Sequence, residues 1–348
     1  MNTAQKIETP LEDPPLDLRG FDRPRILLDE IEEDLTALIE LVRRPVVTAR
    51  QFNRDQILQL ARLAARFETQ PQLITRQLTG KIMISAFYEP STRTRLSFES
   101  AWHRLGGDIM SITDVSSTGI AKGESYADVA QMLNSYGDMV VLRDGEESSV
   151  YEMLGVLTIP IINGGNGMDE HPTQALADLY ALLKWNPSCF LGKSSKKLRF
   201  GIVGVPEKMR TVRSLLLLMA NFSQSFEEVV VITDEAEPIS DELNSELSDL
   251  GLNITVTSEF DEILPTLDVI YQNAILWKGE EYESLGNRFR LDENSRLKPT
   301  AIVLHPLARG PELSTTLDET PHNWYFSQAR GAVFIRMALL SAILKIFI

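Results

Sequence analysis

Cysteine is nearly absent, with 1 residue, Cys189, in a chain of 348. No internal disulfide can form, so the fold must rest on its core. Histidine is scarce as well, at 4 residues, and neither Cys nor a His pair at ligand spacing offers a metal site. The glycine-rich dinucleotide fingerprint is missing too: Gly201-Ile202-Val203-Gly204 lacks the third glycine at its proper spacing. No cofactor is therefore expected. Positive charge is in deficit, with 34 Lys and Arg against 49 Asp and Glu and a formal net charge of -15, which argues against nucleic acid as the main partner. Any anionic ligand must meet a local cluster of Arg and Lys. No uncharged apolar run approaches the ~20 residues that span a bilayer. The stretch from Val333 to Ile348 is broken by Arg336 and Lys345 and reads as a buried closing helix. No charged, apolar, small-residue signal opens the sequence, and a reducing cytoplasm is expected.

What is present is core material: 43% of the residues are hydrophobic, enough for two domains of ordinary size. Residues 1–25, rich in Pro, Asp and Glu, predict a flexible extension without a catalytic role. Ile26 to Leu28, Ile31, Leu35, Leu38, Ile39 and Val42 keep helical spacing, and a second helix is expected after Asn53. A strand over Lys81–Phe87 then leads into a polar turn and a periodic helix beginning near Leu96. The pattern recurs: strands over Met139–Leu142 and Ile159–Ile162, with a helix over His171–Lys184. A second set contains strands at Leu198–Gly204, Val229–Thr233, Val269–Tyr271 and Ala301–Leu304, with a helix over Val212–Met219. The expected fold is α/β: two domains, each a mostly parallel sheet flanked by helices, the C-terminal helix returning to the first. Polar Trp185–Lys197 suits the linker, which gives domains at 26–185 (completed by 330–348) and 186–329.

The turn Ser91-Thr92-Arg93-Thr94-Arg95 packs two guanidinium groups and three hydroxyls between a strand and a helix start. Open backbone N–H groups, the positive end of a helix dipole, hydroxyls and a bidentate Arg together make an anion cradle. A capped helix with solvated arginines satisfies the same pattern, so the surroundings must decide. They include Leu96-Ser97-Phe98-Glu99, the run His171-Pro172-Thr173-Gln174-Ala175-Leu176-Ala177-Asp178, His305-Pro306-Leu307, and Thr320 to Phe326. With these motifs the sequence resembles the aspartate and ornithine carbamoyltransferases, from about Val46 onward. The wording after His305 and from Thr320 is similar to the aspartate branch.

That resemblance implies transfer of a carbamoyl group from carbamoyl phosphate to an amine. It implies Ser91, Thr92, Arg93 and Thr94 on the phosphate, with Arg143, His171 and Gln174 around the carbamoyl carbonyl and amide. Arg143, His171 and Thr94 would then supply donors to the oxygen that gains charge during attack. A histidine at a helix N-terminus tends to stay neutral while still donating one hydrogen bond. The loop from Ser116 to Asp128 resembles the family's mobile loop, which enters a neighbouring subunit's site. On that likeness Lys122 contacts both substrates and Thr118 stands at a phosphate-binding position, within a homotrimer with shared active sites. Arg210 would grip an acceptor carboxylate, Leu307 would present backbone carbonyls to the amine, and Glu89 would pair with basic groups across the cleft.

One departure bears on the acceptor. After Val269-Ile270-Tyr271 the aspartate branch has Thr-Arg-x-Gln, whose Arg and Gln hold the side-chain carboxylate; here Ala274 and Leu276 stand in their places. An unpaired buried carboxylate costs several kcal/mol or more, so aspartate needs a substitute cation, for which Lys278, Arg288 and Arg290 are available. Three readings follow: an aspartate carbamoyltransferase with a rebuilt pocket, a carbamoyltransferase for another amine, or a noncatalytic paralogue serving as an assembly or regulatory partner; for the enzyme, a regulatory or pathway partner is a further expectation. None involves nucleic acid or a membrane.

Overall fold

The strand β1 (Ile82–Phe87) is apolar but for Ser85 and buried on both faces, as a central parallel strand must be. The structure is a computed structural model, which describes residues 23–273 and 288–345. β1 pairs in parallel with β2 (Asp108–Ile112) on one side and β3 (Met139–Asp144) on the other; β4 (Ile161–Asn166) continues the sheet in the order β2-β1-β3-β4. The second sheet has the order β7-β6-β5-β8-β9, again parallel throughout, from β5 (Leu198–Val203), β6 (Phe226–Ile232), β7 (Ile254–Thr257), β8 (Val269–Gln272) and β9 (Ile302–Leu304). The two-sheet α/β expectation is met.

Four helices tie these sheets into one frame. α1 (Arg54–Thr69) begins where expected, because Asn53 accepts from Gln56 N–H in a capping box. α2 (Thr92–Arg104) follows β1, α3 (Pro172–Trp185) follows β4, and α4 (Tyr325–Ile343) is the C-terminal helix. α4 packs against α1, α2 and α3, so the chain does return to its first half. At that junction Glu68 takes Tyr180 Oη at 2.8 Å, Lys184 Nζ at 3.3 Å and Arg330 Nε at 3.1 Å. Arg50 also crosses between the halves, meeting Glu170 at 3.0 Å and Glu246 at 2.6 Å.

Some local expectations are corrected. The helical spacing from Ile26 to Val42 does not yield one helix: helix Pro24–Glu30 stops at extended Ile31, and a single turn Thr36–Ile39 follows. Asp34 Oδ1 takes the backbone N–H of Thr36 at 2.9 Å, a local bond that competes with helix continuation. The strand placed at Ile159–Ile162 runs over Ile161–Asn166 instead, absorbing the Asn-Gly-Gly run expected to end it. Edge strands β2 and β7 were not expected; half-exposed and partly polar, neither stands out as an apolar run. Of the expected extension, residues 1–22 lie outside the described residues, and Pro24 already opens a helix.

Candidate active site

Strand order places the site. In the first sheet the chain turns one way from β1 to β2 and the other way to β3, so a crevice opens beyond the carboxyl ends of β1 and β3. The second sheet reverses between β5 and β8, and its crevice faces the first. Between them lies a cleft of about 1190 Å³. Among the described residues lining it, five are cationic (Arg93, Arg143, Lys208, Arg210, Arg336) and one is a carboxylate, Glu89. An acidic chain has thus concentrated positive charge at one place, which favours an anionic ligand.

The cradle Ser91–Thr94 forms the entry to α2. Ser91 is the N-cap residue but makes no side-chain cap bond, which leaves the first-turn N–H groups available at the cleft. The motif's two arginines diverge. Arg93 lines the cleft, whereas Arg95 turns away to Glu99 at 3.5 Å.

β3 delivers Arg143 and the loop after β4 delivers His171, the N-cap residue of α3. Gly165, at φ +113°, lets them meet: a Cβ there would lie 3.3 Å from Arg210 Nε and 3.4 Å from both Arg143 Nη1 and His171 Cδ2. His171 Nε2 lies 3.3 Å from Thr94 Oγ1, and its backbone N–H donates to Ser214 Oγ at 2.9 Å. Burial, reinforced by Arg143, Arg336 and Arg210, holds the His171 pKa well below its ordinary value, so the ring is neutral. Neutrality was expected from the helix dipole; the causes acting here are burial first and the arginines next. Arg143 is itself pushed down to about 10, by burial and then by the Arg210 charge, with Glu89 opposing.

Glu89 Oε2 lies 3.1 Å from Arg143 Nε and 3.0 Å from Arg210 Nη2. The pairing across the cleft expected of Glu89 is therefore formed. Arg210 also donates through Nη1 to the Gly167 carbonyl. Gln174 lines the cleft and donates to Asp178 Oδ1 at 2.8 Å. Gln328 donates to the same oxygen at 2.6 Å, and Tyr271 donates to Oδ2 at 2.8 Å. Gln328 Oε1 in turn accepts from His305 N–H at 2.8 Å, and Leu307 N–H donates to His305 Nδ1 at 2.8 Å. One buried carboxylate thereby joins Gln174 to the Leu307 loop. His305, whose Nδ1 accepts, carries its proton on Nε2 and donates to Glu312 at 3.0 Å.

Ser91, Thr92, Arg93, Thr94, Arg143, His171, Gln174, Arg210 and Leu307 are brought together around the cleft. Thr118 and Lys122 are not: Thr118 donates to the Val115 carbonyl at 2.7 Å, and Lys122 is exposed on its loop. For the acceptor pocket, Ala274, Leu276 and Lys278 lie outside the described residues. Arg288 pairs with Asp234 at 2.8 Å and Arg290 lies 3.9 Å from Asp292; neither lines the cleft. Sequence reasoning missed Lys208, Asn273, Gln328 and Arg336. Asn273 had a signal, since it follows β8 at the switch point; Gln328 and Arg336 sit inside an apolar helix pattern, where packing is the ordinary inference.

A cationic cleft between two parallel α/β sheets, lined at a strand-to-helix turn by hydroxyls and arginines, is the architecture of an α/β enzyme that takes an anionic substrate. The aspartate/ornithine carbamoyltransferase carbamoyl-P binding domain matches residues 44–184, and the Asp/Orn binding domain of that family matches residues 196–343. The chain is similar to the aspartate carbamoyltransferase catalytic subunit of Methanopyrus kandleri, 35% identical over 86% of this chain and 97% of that one. Its counterpart in Pyrobaculum islandicum is 36% identical over 87% and 98%. Among solved structures, aspartate transcarbamoylase from Trypanosoma cruzi, in complex with carbamoyl phosphate and aspartate, superposes with a TM-score of 0.80 at 32% identity, covering 89% of this chain and 100% of that one. The chain belongs to the aspartate/ornithine carbamoyltransferase family, and it is a carbamoyltransferase.

Proposed function

We propose that this enzyme transfers the carbamoyl group of carbamoyl phosphate to the amine of L-aspartate, giving N-carbamoyl-L-aspartate and phosphate, a step of pyrimidine biosynthesis in the cytoplasm. The observation that carries this reading is the convergence of the Ser91–Thr94 cradle, Arg143 and neutral His171 opposite Arg210 in one cleft.

Ser91, Thr92, Arg93 and Thr94 hold the phosphate. Thr94, Arg143 and His171 surround the carbamoyl carbonyl, and Gln174, fixed by Asp178, takes the amide. As the amine nitrogen bonds to the carbonyl carbon, charge develops on the carbonyl oxygen. Donors already in place stabilise it without reorganisation; the bond to the phosphate oxygen then breaks, and the departing phosphate takes the proton that the amine nitrogen loses. Arg210, held in place by Glu89, grips the α-carboxylate, and the Leu307 backbone faces the amine. Lys122 and Thr118 come from a neighbouring subunit of a homotrimer. Exposed Met110, Met132 and Tyr136, on edge strand β2 and the helix Tyr126–Tyr136, support a second copy on that side. The division at 26–185 with 330–348, and 186–329, assigns the donor to the first domain and the acceptor to the second.

One observation favours a second reading, an acceptor with a neutral side chain: Arg288 and Arg290 are turned away from the cleft. Turnover of carbamoyl phosphate against a panel of amines, aspartate first, separates the two. Efficient N-carbamoyl-L-aspartate formation supports the proposal, and preference for a neutral amino acid overturns it.

A further inference from the structure

Arg336 is the one buried guanidinium among the described residues whose relative exposure falls to 2%. It sits in the middle of α4, where a long cation is costly, and it lines the floor of the cleft. Its Nη1 donates to Ser97 Oγ and its charge lies over the Phe98 ring at 4.7 Å. Nε and Nη2 are buried without a hydrogen-bond partner, and no carboxylate among the described residues stands within ion-pair distance. Asp178 offsets the charge only through space, while Arg143 opposes it. A fold that only needed to fill this volume would be served better by Met or Leu.

Position supplies the reason to keep the charge. Ser97, which holds Arg336, donates to the carbonyls of Arg93 at 2.6 Å and Thr94 at 2.9 Å. Arg336 thus lies directly beneath the first turn of α2, one side chain below the anion cradle.

We propose that Arg336 is a positioning residue of the anion site: a second, buried positive charge under the Ser91–Thr94 turn, balanced by the phosphate dianion of the donor. It braces the cradle through Ser97 and adds its field to that of Arg93. The inference rests on the functional reading above. It also implies that the empty site carries uncompensated charge, so the donor's phosphate stabilises the whole protein and not merely the loop that touches it.

The test uses the full-length chain with inorganic phosphate and carbamoyl phosphate as probes. Binding is measured by calorimetry and thermal midpoint with and without phosphate, for the unsubstituted protein, Arg336→Met and Arg336→Lys. Arg336→Met is expected to bind phosphate roughly ten- to a hundredfold more weakly, the scale of a lost charged contact. Its midpoint without phosphate should be equal to or above that of the unsubstituted protein, and the upward shift caused by phosphate should be largely lost. Arg336→Lys should recover part of both effects. Unchanged phosphate affinity in folded Arg336→Met overturns the proposal, because a packing role alone predicts a lower midpoint with binding intact. Should Arg336→Met not fold, Arg336→Gln, which also removes the charge, decides by the same phosphate readout. Failure of the unsubstituted protein to bind either anion sinks the functional reading as well, and so tells the two failures apart.

Discussion

Glu89 and Arg210 meet at 3.0 Å across the cleft, and the same carboxylate oxygen lies 3.1 Å from Arg143. One side chain from the loop after β1 therefore tethers both arginines, the one proposed beside the carbamoyl group and the one proposed for the acceptor. Glu89 is about a third exposed, so the pairs are worth no more than a partly screened bridge, about 1 kcal/mol. Glu89→Gln should lower kcat/KM for the acceptor roughly five- to tenfold on that scale. Carbamoyl phosphate binding should weaken as well, because Arg143 loses the same partner, and unchanged constants for both substrates, measured by steady-state kinetics, would contradict the tether.

Asp178 makes a pH prediction. Its pKa is raised to about 6, by burial, against the bonds from Gln328, Gln174 and Tyr271 and the Arg336 charge. His171 titrates well below its ordinary range and does not contribute a step there. A carboxyl with a raised native pKa stabilises the fold below its unfolded value near 3.8, and that contribution disappears as pH rises through about 6. Activity runs the opposite way, because protonation costs the carboxylate its capacity to accept all three bonds. The kcat profile should fall on the acid side with an apparent pKa of about 6. In Asp178→Asn that limb should vanish, with kcat lowered at every pH; retention of the limb would assign it elsewhere.

The proposed sharing of the site between subunits gives a third prediction. Neither Thr118 nor Lys122 reaches the cleft of its own chain, while Arg93 lines it. Arg93→Ala and Lys122→Ala should each be nearly inactive, with kcat down by roughly two orders of magnitude or more, as for loss of a preorganised charged donor. Mixed in equal amounts and allowed to exchange subunits, they should regain activity in about one site in four, those pairing an intact Arg93 with a neighbour's intact Lys122. No recovery, with exchange demonstrated by labelled subunits, would rule out sharing.

Much of this was legible beforehand, for physical reasons. β1 and β5 are long apolar runs because both faces are buried, and the cradle residues sit where a strand hands over to a helix. Arg143 and His171 could be placed because strand ends and helix starts are marked locally. Gln328 and Arg336 could not, since their function depends on α4 crossing α2 and α3, a contact between positions far apart in sequence. The Asp178 hub was hidden in the same way: its residue stood in a quoted motif, but its partners Tyr271 and Gln328 lie 93 and 150 positions downstream.

The acceptor pocket carries the last prediction. The proposed role of Arg210 provides for one carboxylate, and a second needs a further cation. Arg288 is held by Asp234 and also stacks on Phe289 at 5.3 Å. Lys208 lines the cleft two positions before Arg210, and its bridge to Glu235 at 2.7 Å is exposed on both sides, 61% and 51%. Such a pair holds its lysine weakly and releases it to a better-placed anion at little cost. Lys208→Met should therefore raise the aspartate KM roughly tenfold, the scale of one charged hydrogen bond in a partly open site, with carbamoyl phosphate binding unchanged. Arg288→Ala should leave both constants alone. If Lys208→Met leaves the aspartate KM as it was, while a neutral amino acid is turned over at least as fast, the second carboxylate has no reader in this cleft and the acceptor is one that does not carry it.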